Sequence, residues 1–471
     1  MIEHYKRHTP LFWGFFQPME KKYIDFICEE LRLNAVHVSK RGQPNVFELV
    51  ARSAEFENNH MLPLGWEEEF IEKHFREFLF NYDRYSLSFE KNVISAFEGD
   101  SNYDYLCAIN YYLSYFYNLI ISKGITQVVF NNPPHQGIDL IIYYLASKLG
   151  LDKNILYQTI LPNRFFHYKN IDDFGRYSKF VTFNPSEGFS FEKRFEKELF
   201  YMEGRVGHNH MTRIFNKTSL SLRKTKKILR KLSSKEDMKK LIAHRKKKFY
   251  GAKAFTNESK FYRSKGESFE SLNINLEEKF VYFPLHYQPE LTTSCLGGLY
   301  TDQLLAIENL ARILPEGWFI YVKENPKQGH YMRGRAFYER LSKIESAILV
   351  SKSVSTYELL KQSQVVATIS GTVGWEALSG GKPIITFGMA WYRDFSGVHC
   401  FSHNLNLKDI SNQNVDHTKL QSQVNEFSKS CNQGIVASAY RKLYKNYETT
   451  KNNVLLLNFF DQLTKLYENN N

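Results

Sequence analysis

The fold is decided by a stretch in the C-terminal half, VVATISGTVGWEALSGGKPIITFG (365–388). Its first residues are apolar or β-branched and predict a buried strand that ends at Ile369. Small residues follow, and a helical pattern then begins around Val373 and ends at Gly380 and Gly381, which are typical of a helix stop. PIITFG predicts the next strand. This succession of strand, helix and strand indicates a βαβ unit with parallel strands.

The same alternation surrounds this unit. Short apolar runs predict further strands, and runs with helical periodicity predict the helices between them. The strands are KFVYFPL (279–285), GWFIYVKENP (317–326) and AILVS (347–351), and the helices are DQLLAIENLARIL (302–314), RAFYERLSKI (335–344) and STYELLKQS (355–363). Five strands that alternate with four helices predict a doubly wound, Rossmann-like domain.

The N-terminal half carries a weaker version of this pattern. ITQVVF (125–130) predicts a strand, the turn cluster NNPPHQG follows it, and IDLIIYYLASKLG (138–150) predicts a helix. NILYQTI (154–160) predicts the next strand, which completes a second βαβ unit, and NAVHVS (34–39) predicts one more strand. The sequence therefore indicates a second Rossmann-like domain.

The predicted fold class is α/β, with two Rossmann-like domains that face each other across a cleft and a basic helical segment between them. A chain of 471 residues is long enough for two such domains. The predicted boundaries are 1–200 for the N-terminal domain, 201–270 for the basic segment, 271–400 for the C-terminal domain and 401–471 for a C-terminal helical segment.

The net charge of +12 is concentrated in one part of the chain. Residues 205–265 contain 20 Lys and Arg against 3 Asp and Glu, whereas the rest of the chain contains 42 and 47. Within this part, 217–248 predicts either contact with an anionic membrane surface or a solvated helical linker. It lacks the interleaved aromatic residues of a nucleic-acid site, so we expect no nucleic-acid partner.

The cysteines and the apolar segments predict a cytoplasmic protein, and contact of 217–248 with a membrane would place it at the inner face of the cytoplasmic membrane. The 5 cysteines are far apart and form no CxxC or zinc-ligand pattern. The N-terminus lacks the apolar core and cleavage site of a signal peptide. The uncharged run between Asp104 and Lys123 contains Asn110 and Asn118, which predicts a buried or interfacial helix rather than a membrane span.

Ligands of doubly wound sheets bind beyond the carboxyl ends of the strands, and ISGTVGWEAL (369–378) lies at such an end. The small residues Ser370, Gly371 and Thr372 let backbone amides and hydroxyls approach a phosphate, and the helix N-terminus adds positive charge. Glu376 follows about one helical turn after Thr372, which would place its carboxylate within reach of the two hydroxyl groups of a nucleotide ribose. A plain N-cap with a surface Glu is the alternative interpretation.

Two further strand ends in the C-terminal half carry candidate residues. Lys323 and Asn325, in KENP (323–326), are suited to binding a phosphate, since a Lys neutralises its charge and an Asn donates a hydrogen bond to it. A strand end that is simply exposed to solvent would carry the same residue types. His286 and Glu290, in HYQPELTT (286–293), suit nucleotide contact and acid/base or nucleophilic chemistry. Glu290 also follows a Pro, as residues at helix starts often do.

The counterpart in the N-terminal half is NNPPHQGID (131–139). His135 is the candidate acid/base residue of this loop, and Gly137 permits a close approach of the backbone to a ligand. Asp139 is a second candidate catalytic residue. It also lies where an acidic residue simply stabilises the first turn of a helix.

Several common catalytic motifs are missing from the sequence. The candidate loops hold no DxD triplet, and GxGxxG, GxxxxGK[ST] and HExxH do not occur. We therefore expect neither a metal nor another cofactor. Helix dipoles and side-chain donors in the SGT and KENP loops would then stabilise a phosphate leaving group.

Four segments together carry a resemblance to a known family: YFPLHYQPE (282–290), VKENP (322–326), SGTVGWEALSGGKPIITFG (370–388) and NNPPHQGIDL (131–140). They resemble the motifs of bacterial capsule and surface polysaccharide biosynthesis proteins with the GT-B glycosyltransferase fold, and within that group they are similar to the CMP-Kdo-dependent transferases. SGT followed by Glu and GGKP also occurs in UDP-GlcNAc 2-epimerases. In relatives the KENP position often reads Lys-Glu-His-Pro, whereas this chain has Asn325.

The resemblance implies a metal-independent glycosyltransferase that binds a nucleotide-sugar donor in the C-terminal domain and a glycan or lipid-linked glycan acceptor in the N-terminal domain. The transferred sugar would be Kdo or a related acid sugar. A sugar-nucleotide epimerase and a polyol-phosphate transferase on the same fold are the alternatives among enzymes. A non-catalytic component of a polysaccharide assembly complex is the alternative from another class.

Overall fold

The computed structural model describes most of the chain. The described residues are 8–37, 60–75, 102–135, 137–192, 274–288, 290–326, 328, 333 and 335–470. The basic segment, 201–270, which includes 217–248, lies outside these ranges. The interpretations of 217–248 therefore stay predictions.

A sheet of six strands forms the centre of the N-terminal unit. The strands are β1 (Pro10–Trp13), β2 (Val36–His37), β3 (Gln127–Phe130), β4 (Asp152–Gln158), β5 (Arg164–Tyr168) and β12 (Asn432–Gln433), in the order β12-β5-β4-β3-β1-β2. Strands β1 to β4 are parallel, and β5 is antiparallel to both of its neighbours. Every residue of β1 and β3 is buried, as in a parallel sheet covered on both faces.

A second sheet of six strands forms the centre of the C-terminal unit. The strands are β6 (Phe280–Pro284), β7 (Phe319–Lys323), β8 (Ala347–Val350), β9 (Val365–Thr368), β10 (Ile384–Thr386) and β11 (Val398–Cys400), in the order β11-β10-β9-β6-β7-β8. All neighbouring strands of this sheet are parallel. The five strands predicted in this half are present, and β11 is added at the edge of the sheet.

Helices connect the strands in both units. Their bounds are α1 (Pro18–Glu30), α2 (66–75), α3 (Asn102–Lys123), α4 (Gly137–Lys148), α5 (Leu291–Ser294), α6 (Gln303–Arg312), α7 (Arg335–Leu341), α8 (Thr356–Gln362), α9 (Thr372–Ser379), α10 (Leu407–Ser411), α11 (His417–Ser430) and α12 (Thr449–Asn470). Helix α3 contains the uncharged run, and its residues Ile109, Tyr112, Leu113 and Phe116 are fully buried. Among the described helices, none is long and apolar enough to span a bilayer.

The C-terminal residues complete the N-terminal unit. Strand β12 pairs with β5, where Asn432 lies opposite Phe165. Helix α12 then packs against α1, and its buried residues Leu456 and Phe459 share one apolar cluster with Ile24 of α1. The chain therefore crosses to the C-terminal unit and returns.

The two units contact each other closely. The ring of Phe427 in α11 lies 6.0 Å from that of Phe166 in β5 and 5.2 Å from that of Trp391, which follows β10. At Gly175 an added Cβ would lie 2.4 Å from the carbonyl oxygen of Ala390. The two sheets, each flanked by helices, confirm the predicted α/β fold of two Rossmann-like units.

Candidate active site

The segment between β9 and α9 forms a tight turn at the carboxyl end of the C-terminal sheet. Strand β9 ends at Thr368, and Gly371 is the extended residue directly before the helix, with φ −77° and ψ 159°. A Cβ on Gly371 would lie 2.5 Å from Nε2 of His286. Only glycine therefore lets the backbone approach the imidazole this closely.

His286 lies directly beneath this turn. Its Nε2 is 3.1 Å from Oγ1 of Thr368, and the same Oγ1 accepts a hydrogen bond from the amide of Gly371 at 3.3 Å. Burial lowers the pKa of His286 to about 4, so the ring is neutral at pH 7. Its buried Nδ1 has no hydrogen-bond partner in the part of the chain that the structure describes. The predicted nucleotide-binding residues His286 and Gly371 are thus brought together.

A buried polar network fixes the backbone of His286. Gln303 accepts from the amide of His286 at 2.7 Å and donates to its carbonyl at 3.1 Å. Arg333 also donates to this carbonyl, at 3.0 Å, and its guanidinium pairs with Glu324 at 2.7 Å. Because Arg333 is only 1% exposed, it acts as a support for His286 and not as a ligand-facing cation.

The KENP segment is folded inward. The ammonium group of Lys323 donates to the carbonyl of Val354 and, at 3.0 Å, to Oγ1 of Thr356. The amide of Asn325 donates to the carboxylate of Glu324 at 2.7 Å. Lys323 is therefore held within the C-terminal unit, and Asn325 is the more exposed of the two candidate residues.

Glu376 is buried on helix α9 and does not extend from a surface. It is 7% exposed and lies close to Tyr282 of β6. Burial raises the pKa of Tyr282, and the negative charge of Glu376 acts in the same direction. Ser370 is buried at the start of the turn, and Thr372, the first residue of the helix, is half-buried.

Tyr392 is a residue of this site that the sequence interpretation missed. Its ring is fully buried, and its hydroxyl donates to the carbonyl of Gly371 and thereby fixes the turn. A Cβ on Gly374 would lie 2.2 Å from the Tyr392 oxygen, so the second glycine of SGTVG makes room for this ring. The pairing of a glycine with a tyrosine 18 positions later has no local sequence signal.

The segment around Glu290 packs against the same turn. Glu290 is the N-cap of α5 (Leu291–Ser294), and its carbonyl accepts from the amides of Thr293 and Ser294 at 3.0 and 2.8 Å. The hydroxyl of Ser370 donates to the carbonyl of Thr292 at 2.7 Å. Glu290 therefore lies in a short helical turn that is fixed to the predicted phosphate loop.

His135 and Asp139 form the second group, at the carboxyl end of β3. Nδ1 of His135 is 2.8 Å from the carbonyl of Pro133 and 3.7 Å from the carboxylate of Asp139. Because a carbonyl only accepts, Nδ1 carries the proton of the neutral ring, and Nε2 holds the lone pair. Trp13, the last residue of β1, donates its indole N–H to Asp139 at 2.6 Å. Sequence reasoning identified His135 and Asp139 but not Trp13.

The contacts thus join the candidate residues into two groups. One group contains His286, the Ser370–Thr372 turn and the Glu290 segment in the C-terminal unit, and the other contains His135 and Asp139 in the N-terminal unit. Across the described ranges, no three His, Cys, Asp or Glu side chains are grouped so as to hold a metal ion.

Three solved structures illustrate what the chain is similar to. The beta Kdo 2,7 transferase of Thermosulfurimonas dismutans KpsC is 9% identical, with 74% of this chain and 89% of that one covered and a TM-score of 0.33. Methanocaldococcus jannaschii UDP-GlcNAc 2-epimerase is 10% identical, with 89% and 97% covered and a TM-score of 0.28. The wall teichoic acid polymerase TagF is 15% identical, with 45% and 49% covered and a TM-score of 0.21.

The sequence itself matches a family over part of its length. No curated protein matches the chain. Residues 291–423 match the family described as "Capsule polysaccharide biosynthesis protein". This range contains the turn from Ser370 to Thr372, the KENP segment and Tyr392. Over residues 291–423, less than a third of its length, the chain is therefore similar to this family.

Proposed function

We propose that this protein is a glycosyltransferase of capsule or surface polysaccharide biosynthesis. It transfers a sugar, Kdo or a related acid sugar, from a nucleotide-activated donor to a glycan or lipid-linked glycan acceptor. The observation that carries the proposal is the close packing of His286 under the Gly371 turn, at the carboxyl end of β9 and directly before α9. This is the place where doubly wound sheets bind phosphates.

The donor phosphate binds at the turn from Ser370 to Thr372. The first amides of α9 and the hydroxyl of Thr372 supply donors, and the helix dipole supplies about half a positive charge. Neutral His286 orders the turn from below through Thr368 and Gly371. Asn325 contributes to phosphate binding from the neighbouring strand end and Glu376 contacts the ribose, whereas the ammonium group of Lys323 stays bonded to Val354 and Thr356.

The acceptor is activated in the N-terminal unit. Nε2 of His135 takes the proton of the acceptor hydroxyl, while Asp139 and the Pro133 carbonyl hold the ring in the required tautomer. The acceptor oxygen forms a bond to the anomeric carbon, and the bond from that carbon to the donor phosphate oxygen breaks. The nucleotide leaves with the electron pair. Glu290 supplies a second acid/base group near the turn that binds the leaving phosphate.

The experiment that tests the proposal is nucleotide release from a panel of CMP-, UDP- and GDP-sugars. We expect release from one nucleotide class, faster when a glycan acceptor is present, and no loss of activity in EDTA, because helix dipoles and amides take the place of a metal. Inversion of the configuration at one carbon of the donor sugar, without nucleotide release, would identify an epimerase. Absence of both reactions, with nucleotide binding retained, would favour a non-catalytic component.

Membrane contact by 217–248 is a separate part of the proposal. We expect the protein to sediment with anionic vesicles at low salt and to be released as the Debye length falls from about 30 Å at 0.01 M to about 8 Å at 0.15 M. Changing Lys246, Lys247 and Lys248 to Glu removes this binding, whereas Lys408→Glu, at an exposed position of the C-terminal unit, leaves it unchanged. Equal sedimentation of the wild type and the triple variant would favour the solvated linker.

A further inference from the structure

We infer that a pocket beside Tyr444, remote from the two groups of candidate catalytic residues, binds an anionic saccharide segment of the acceptor chain. This inference rests on the proposed function, since it names the class of acceptor. The pocket has a volume of about 430 Å³. That volume lies within the range of small-molecule binding sites. We refer to it as the Tyr444 pocket.

The Tyr444 pocket lies at the same edge of the N-terminal sheet as His135. Asn163 in the turn between β4 and β5, and Gln433 at the end of β12, form one of its walls. Strand β12 is antiparallel to β5, and β5 is antiparallel to β4, so β12 runs in the same direction as β3. Three strand spacings separate β3 from β12, which amounts to roughly 14 Å. A ligand that reaches both places must be a chain and not a single sugar.

The lining of the pocket suits a hydroxylated ligand. Tyr444 and Tyr447 supply ring surfaces, and Asn163, Gln433 and Asn446 supply side-chain amides, of which that of Gln433 also donates to the carbonyl of Pro185 at 3.0 Å. Sugars present the matching pattern, apolar C–H faces together with hydroxyl groups that both donate and accept. An apolar ligand would cover these amides without offering them donors or acceptors, at a cost in affinity.

The walls of the pocket are held in place by buried contacts. The side chain of Asn452 is 3% exposed and bonds both the amide and the carbonyl of Ile435, at 2.7 and 3.2 Å. The hydroxyl of Tyr447 donates to the sulfur of Met19 at 3.2 Å, and the carbonyl of Asn163 accepts from Gly434 at 3.1 Å. A preformed pocket loses less conformational entropy when a ligand binds.

The charge around the pocket selects an anionic ligand. The segment 438–451 contains the basic residues Arg441, Lys442, Lys445 and Lys451 and a single acidic residue, Glu448. Glu448 and Lys451 line the pocket and pair with each other at 2.8 Å, whereas Arg441, Lys442 and Lys445 are exposed on the segment beside it. The surplus of positive charge raises the local concentration of carboxylated sugars. A concave wall of amides and tyrosines favours a saccharide over a flat lipid surface.

The test is calorimetric titration with short oligogalacturonate and oligosialate, with neutral malto-oligosaccharides of equal length for comparison. We expect the acidic oligosaccharides to bind at least tenfold more tightly. Tyr444→Ala and Lys445→Gln weaken this binding about tenfold, and Asn163→Gly, which tolerates the local φ of 58°, weakens it as well. Lys408→Gln, at an exposed position of the C-terminal unit, serves as the matched control and binds as the wild type.

Val454→Trp fills the pocket from a position that is 49% exposed and does not disturb the core, so it abolishes binding even if Tyr444→Ala fails to fold. Equal affinity for neutral and acidic oligosaccharides, or wild-type binding by Val454→Trp, would overturn the inference. Binding to anionic vesicles that is lost in Tyr444→Ala, without any oligosaccharide binding, would assign the pocket to lipid and also overturn it.

Failure of the proposed function is detected separately. These variants keep wild-type affinity for the donor nucleotide, because Tyr444 and Val454 lie in the N-terminal unit, away from the Gly371 turn. A wild-type protein that binds acidic oligosaccharides but no nucleotide would refute the proposed transferase and leave the pocket in place.

Discussion

Substitution of Gly371 by Ala tests the proposed donor site more directly than any other single change. The new Cβ would lie 2.5 Å from Nε2 of His286, 3.1 Å from Cδ2 and 3.3 Å from Cε1. Contacts under 3.0 Å require one group to move. The φ of −77° suits alanine, so the clash is the only backbone cost. Because Gln303 and Arg333 hold the backbone of His286, we expect the turn to move instead of the ring.

The expected size of the effect follows from packing. Insertion of a methyl group into a well-packed site costs about 1–3 kcal/mol. A displaced turn also loses donors to the phosphate, so we expect Gly371→Ala to raise the nucleotide dissociation constant about tenfold or more, since tenfold corresponds to about 1.4 kcal/mol. Titration calorimetry measures the affinity, and urea unfolding measures the stability.

A double-mutant cycle separates the clash from other effects. His286→Ala removes the ring, so the double variant with Gly371→Ala regains the room that the methyl group needs. We expect a coupling of about 1–2 kcal/mol in stability. Nucleotide affinity stays low in the double variant, because the ring that orders the turn is gone. Additive stability effects together with wild-type affinity of Gly371→Ala would refute the reasoning.

The remaining predictions concern the other candidate residues. Thr372→Val and Glu376→Ala each raise the nucleotide dissociation constant about tenfold in calorimetry without unfolding the protein, and unchanged affinity in both would refute the assignment. His135→Ala and Glu290→Gln lower turnover about a hundredfold while nucleotide affinity stays within a few fold, and rates near wild type would make both residues structural. His286 has a pKa near 4 when folded and about 6.5 when unfolded, so its contribution to stability is present above pH 6.5 and is lost as the pH falls towards 4. Urea titrations across this window show a shallower pH dependence in His286→Ala, and equal slopes would contradict the assignment.

The C-terminal sheet was predictable because of how its strands are buried. Strands such as Phe280–Pro284 and Val365–Thr368 have helices on both faces, and their sequences therefore read as uninterrupted apolar runs. Strand Val398–Cys400 lies at the edge of the sheet and is partly exposed, so it lacks such a run and was not predicted. Burial on both faces is therefore the reason why these strands are recognisable as apolar runs in the sequence.

The N-terminal sheet was less predictable, because two of its strands depend on distant partners. Asn432–Gln433 is a strand of two residues that pairs with Arg164–Phe165, more than 250 positions earlier, and no local pattern marks it. Pro10–Trp13 starts with a proline and spans four residues, so only its pairing with β3 reveals it as a strand. The predicted strand at 154–160 begins two residues earlier, at Asp152, and ends at Gln158.

Strand ends were a sound guide to where candidate residues lie, but not to which way they point. The rule placed His286 and the Gly371 turn at one edge, and the structure brings them into contact. It did not show that the ammonium of Lys323 bonds Thr356 within the unit. The direction of a long side chain depends on acceptors contributed by other segments, and these are not visible in the four residues of KENP.

The two buried charges near His286 explain why the proposed donor site has to rely on neutral groups. Arg333 and Glu324 are 1% and 4% exposed and satisfy one another, so neither is available to a phosphate. Taking either charge away from its partner would leave the other unpaired in the interior, which typically costs 3–5 kcal/mol. A phosphate that binds at the Gly371 turn is therefore stabilised by amides, hydroxyls and the dipole of α9, while the ion pair serves to hold the His286 carbonyl. This division predicts that phosphate affinity depends on the geometry of the turn more than on ionic strength.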